Sequence, residues 1–182
     1  MSEVASKSQL RMSFLRWALF VVPIIVFLGF VSGQVSGAGN DNSWYQALIK
    51  PAINPPSAVF GPVWAVLYVM IALAFSIILH ARGARLRSVA IGLFCAQLVL
   101  NLVWSSVFFG MHQVSTAFVL IVVILLLSVA ATAVFAKIRM SAAWLMVPYL
   151  AWLGFAAYLN FEIDRLNPGA EMLYVPAATT QI

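Results

Sequence analysis

Three sets of aromatic and amide side chains recur at helical spacing inside otherwise apolar sequence. Gln97, Asn101, Trp104 and Phe108 follow the pattern i, i+4, i+7, i+11, which lines them along one face of a helix. Phe60, Trp64 and Tyr68 share a second face, and Tyr149, Trp152, Ala156 and Asn160 a third. Their rings offer stacking surface and their carboxamides offer neutral donors and acceptors, a combination suited to a flat, hydrophobic, aromatic small molecule. Hydrolytic and metal chemistry find no such support. Glu162 and Asp164 stand two residues apart near a helix end and point to different faces, a poor acid/base pair. His80 and His112 fall on opposite sides of a bilayer about 30 Å thick, so they cannot share a metal. Gly33, Gly37 and Gly39 lack the Lys and Ser/Thr of a phosphate loop.

The elements that must position these stripes are membrane-spanning helices. The 182 residues are 64% hydrophobic and 8% charged, with mean hydropathy +1.01. Soluble domains are roughly half apolar and a quarter charged. A span needs about 20 mainly apolar residues, because hydrocarbon leaves backbone polar groups no partner outside the helix. Five stretches qualify: 17–35, 62–79, 89–109, 114–136 and 142–161. The expected fold class is therefore all-α integral membrane, a five-transmembrane-helix bundle. Short gaps make the last four helices antiparallel neighbours. Residues 1–16 form an expected cytoplasmic segment, 17–165 the membrane domain and 166–182 a flexible tail. The long first gap, 36–60, carries Gly37, Gly39, Asn40 and Asp41, then Pro51, Pro55 and Pro56, and reads as an extended loop.

Charge sets the orientation, since Lys and Arg are retained on the cytoplasmic side of short loops. Five spans gather Lys7, Arg11, Arg16, Arg82, Arg85, Arg87, Lys137 and Arg139 on one side and leave only Lys50 and Arg165 on the other. The amino terminus is expected inside and the carboxyl terminus outside. The ten basic residues thus alternate with apolar runs instead of forming one patch, which disfavours a nucleic-acid partner. The start, with Arg11, Arg16 and the small residues after Val35, imitates a cleaved leader, but its apolar run is longer than a leader core, and it reads as the first span. Cys95 is the only cysteine and can form no intrachain disulfide.

With this orientation Trp64, Tyr68, Asn101, Trp104, Phe108, Trp152 and Asn160 share the outer half of the bundle. The 36–60 loop, with Trp44, Tyr45 and Lys50, lies above them as a lid that contributes a cation. Trp17, Trp44 and Trp144 read instead as an interfacial belt. Gly29, Gly33 and Gly37, and Gly92 with Ala96, repeat small residues at four-residue spacing and permit close helix approach.

These residues also carry a resemblance. Trp44-Tyr45, Lys50-Pro51, Asn54-Pro55-Pro56, Val59-Phe60, Trp64 and Leu67-Tyr68 are followed by Gln97, Asn101, Trp104 and Phe108-Phe109-Gly110, then Pro148-Tyr149, Trp152 and Leu159-Asn160. In order and spacing the chain resembles the TspO/translocator-protein family over about 17–167. The resemblance implies a five-helix bundle, commonly a homodimer, in a membrane, here a bacterial cell membrane. Its cavity would bind porphyrins (protoporphyrin IX or a haem-like ring) and drug-like aromatic ligands, with no obligatory cofactor. It implies pocket positions at Trp64, Asn101, Trp104 and Trp152, with Tyr68, Phe108 and Phe155 as wall. The lid would comprise Trp44, Tyr45, Lys50, Pro51, Asn54, Pro55 and Pro56, and the dimer would form through Gly92 and Ala96. The resemblance suggests a receptor, sensor or transporter, or alternatively light-dependent porphyrin breakdown at Trp64 and Trp152, or a signalling scaffold without turnover. Two departures stand out. Ala52 and Ile53 replace a tryptophan pair present in many bacterial relatives. The sterol pattern is incomplete, with Phe161 at its tyrosine and Tyr158 separated from Arg165 by six residues.

Overall fold

A computed structural model describes residues 7–39 and 42–173. Helix α1 spans Lys7–Val35, the short α2 spans Ser43–Ala47, and α3 spans Ser57–His80. Helix α4, Arg87–Ser105, runs on into a wide π turn, Ser106–Gly110; α5 is Val114–Ile138, α6 is Met140–Leu166, and a 3-10 turn, Ala170–Met172, follows. All but α2 and the two short turns are long and apolar enough to cross a membrane, which gives five spans. The protein is an all-α integral membrane protein. Helix α6 packs on α5 and α3, α3 on α1, and α4 on α5.

One end of the bundle, which carries Arg82, Arg85, Arg87, Lys137 and Arg139, is solid. There Phe94 stacks on Phe75 at 4.1 Å and lies near Phe135 at 6.1 Å, with Ile71, Ile78, Ile124 and Met146 fully buried around them. Between helices surrounded by lipid, such close van der Waals packing replaces the hydrophobic effect as the source of cohesion. The opposite, lid end is hollow.

The spans extend beyond the apolar runs that announce them. Helix α3 starts at Ser57 rather than Pro62, so 57–60 belongs to a helix and not to the lid. Pro55 and Pro56 are the true stop signal, and Pro62 is carried inside the helix, as membrane helices tolerate. Within the expected extended loop, 43–47 is helical because the Asn42 side chain caps it, accepting from the Tyr45 N–H at 2.8 Å. Asn40 and Asp41 lie outside the described residues, as do 1–6 and 174–182, where most of the expected tail falls.

The near end of that tail is packed, against expectation. Gly169 adopts φ +95, a left-handed conformation open to glycine, and turns the chain so that Ala170 is buried beneath the lid. The Trp44 indole donates to the Ala170 carbonyl at 3.0 Å. Asn167 clips the Ile49 backbone from both sides, accepting from its N–H at 2.8 Å and donating to its carbonyl at 2.8 Å. Trp44 is therefore a buried roof anchor, 3% exposed, and not a belt residue. Trp144, 67% exposed at the arginine end, stands as a belt residue would.

Candidate ligand-binding site

The hollow end encloses a cavity of about 500 Å³. Helix α3 presents Phe60, Trp64 and Tyr68 to it, three side chains on one face at four-residue spacing. Helix α4 presents Asn101 and Trp104. In the π turn the Met111 N–H donates to the Ser106 carbonyl at 2.8 Å, and the extra residue in this wide turn brings Phe108 and Phe109 to the wall together. Helix α6 adds Trp152, Ala156 and Asn160, and the lid adds Tyr45 and Asn54.

Aromatic pairs fix the walls. Trp104 lies flat against Phe108 at 5.2 Å, Trp152 meets the edge of Phe60 at 5.9 Å, and Trp64 tilts against Tyr68 at 5.4 Å. The roof locks onto the π turn through Trp44 with Phe108 at 5.6 Å and Tyr45 with Phe109 at 5.3 Å. His112 stacks on Trp44 at 4.3 Å.

Beneath the cavity runs a polar chain drawn from four helices. The Tyr68 hydroxyl donates to Asn101 Oδ1 at 2.7 Å, and Asn101 Nδ2 donates to the Tyr149 hydroxyl at 3.1 Å. Tyr149 in turn donates to Gln97 Oε1 at 2.7 Å, which also accepts from Ser128 at 3.3 Å. Such groups are costly in hydrocarbon unless partnered; here they knit α3, α4, α5 and α6 into a floor, with the Gln97 Nε2 donor left without an acceptor.

The sequence stripes therefore divide by depth. Trp64, Tyr68, Asn101, Trp104, Phe108 and Trp152 all line the cavity, whereas Gln97 and Tyr149 lie below it. Phe155, expected as wall, is absent from the lining and leans on Trp152 at 5.5 Å. Of the seven residues expected as lid, Tyr45 and Asn54 line the cavity, together with Ala38 and Gly39 of the same loop; Trp44, Lys50, Pro51, Pro55 and Pro56 lie outside the lining. Lys50 does not supply the expected cation. Its ammonium donates to the Gln46 and Leu48 carbonyls at 3.4 and 3.2 Å and sits 4.6 Å above the Tyr45 ring. Burial lowers the Lys50 pKa, and burial raises that of Tyr45, partly offset by the Asn54 side chain. Ala52 and Ile53, at the place of the tryptophan pair, are exposed and outside the lining.

Sequence reasoning missed α1. Val26, Gly29, Phe30, Gly33 and Gln34 form a whole wall, yet no polar stripe marks that helix. Gly29 makes the close approach that glycine spacing suggests, for a Cβ there would overlap the Tyr68 ring, whereas Gly33 faces open space inside the cavity. Asn160 appeared in a stripe without being assigned to the site; its Nδ2 donates to the Val114 carbonyl at 3.0 Å.

Comparison with known proteins agrees with this architecture. Residues 20–166, from within α1 to the end of α6, match the model of the TspO/MBR family. The chain is 43% identical over 129 residues to the tryptophan-rich protein TspO of Chlorobaculum tepidum, covering 69% of this chain and 81% of that one. It is 35% identical over 153 residues to the tryptophan-rich sensory protein of Cereibacter sphaeroides, covering 83% and 92%. Similarity extends to the human translocator protein, 35% identical over 144 residues, covering 78% and 85%. With five spans, an aromatic cavity at one end and a match running from the first span to the last, this chain belongs to the TspO/MBR family.

Proposed function

We propose that the cavity receives porphyrins and related hydrophobic aromatic ligands, and that the protein serves as a membrane receptor or sensor for them, or as their transporter. The observation that carries this reading is the convergence of Trp64, Trp104 and Trp152 from three helices on one space of about 500 Å³. Pockets for drug-sized ligands span about 300–1,000 Å³ and combine apolar walls with a few polar anchors, the pattern seen here. Relatives named as sensory and translocator proteins support a role in perceiving or moving a small molecule.

Titration with protoporphyrin IX in the dark, followed by tryptophan fluorescence, tests the proposal. Quenching is expected to saturate, and Trp64→Ala combined with Trp152→Ala to weaken affinity by about tenfold or more, the loss of ~1.4 kcal/mol of stacking. No quenching, or unchanged quenching in the double variant, counts against the pocket. Illumination separates binding from photochemistry: porphyrin absorbance that falls only in light, and only with both tryptophans present, would mark degradation.

A further inference from the structure

No charged side chain lines the cavity among the described residues. The two described cations at the lid end are engaged elsewhere. Lys50 is turned onto backbone carbonyls and the Tyr45 ring, and Arg165 pairs with Glu162 at 2.7 Å. On the α6 wall, two neutral groups lack a partner. The Trp152 Nε1–H is a buried donor without an acceptor, and Asn160 Oδ1, on a residue only 2% exposed, is a buried acceptor without a donor. They lie on one face of α6, with Ala156 between them on the same cavity wall. Among the described lining residues the electropositive feature is at the rim, where Ser57 and Ala58 open α3 and no side chain caps its first amides.

An ionised carboxylate inside such walls loses its hydration and gains no counter-charge, a far larger penalty than burying a neutral polar atom. We infer that the cavity selects uncharged ligands: it takes a neutral aromatic body between its indole and phenyl walls and leaves any carboxylate outside at the Ser57–Ala58 rim. This rests on the ligand-binding reading above and narrows its ligand class. A tetrapyrrole would enter ring first, its acid groups in water.

Paired probes test it on the intact protein at neutral pH. Protoporphyrin IX dimethyl ester is expected to bind more tightly than the free acid or to fall within about fivefold of it, the margin a helix terminus allows. An acid that binds more than about fivefold tighter overturns the inference. Naphthamide and naphthoate form the second pair, small enough to enter whole: the amide should bind tighter, and an equal or tighter carboxylate overturns the inference. If neither tetrapyrrole binds while naphthamide prevails, the porphyrin reading fails and neutral selection stands. If the acid prevails in both pairs, neutral selection fails and the pocket stands. Silence from all four probes removes both.

Discussion

Two of the cavity tryptophans do different work because of one hydrogen atom each. The Trp104 N–H is committed to the Ala117 carbonyl at 3.0 Å, so that indole has only its face to give a ligand. The Trp152 N–H is uncommitted. Trp104→Phe is thus expected to lower thermal stability in detergent by about 1 kcal/mol through the lost interhelical bond while largely retaining porphyrin affinity. Trp152→Phe removes a buried donor that has no acceptor, so it should leave the melting temperature level or higher. Thermal unfolding and titration of the two variants side by side check this, and matching behaviour would contradict it. At this scale the sequence was readable where amides sit in apolar runs, since Asn101 and Gln97 are expensive in hydrocarbon and must have partners. It was opaque at Trp44, whose acceptor at Ala170 lies 126 residues away.

Helix α1 shows how an element can matter without a polar stripe to mark it. Gly29 lets α1 close on Tyr68, and Gly33 one turn on leaves room in the cavity. The glycine spacing announced close helix approach but not a cavity wall, because an absent side chain does not say whether a neighbouring helix or a ligand fills its place. Gly29→Leu is expected to wedge the two helices apart and cost about 1–3 kcal/mol, measured as a lower melting temperature. The lid was legible in composition but not in geometry, because Asn42 caps a helix there and Asn167 holds the backbone of Ile49 beyond it. Asn167→Ala should raise hydrogen exchange at the amides of 42–56 by about tenfold or more, the loss of two hydrogen bonds, without altering the floor. Equal exchange in both proteins would argue that the clip carries no weight.

For the whole molecule, five spans were legible because an apolar run long enough to cross a bilayer is rarely anything but a span. We propose that the arginine end faces the cytoplasm, so a reporter fused after Ile182 should be silent there and active outside. We also propose that two copies pair through α4, where Gly92, Cys95 and Ala96 are exposed and a Cβ at Gly92 would meet nothing within the monomer. Gly92→Leu is expected to reduce the dimer fraction in detergent; an unchanged fraction would remove that surface. The roof, finally, is not free to move alone. Trp44 donates to Ala170 and Asn167 brackets the Ile49 backbone, so the lid and residues 167–170 are tied into one unit. Any ligand bulky enough to raise the roof would have to carry residues 167–170 with it or break these three hydrogen bonds.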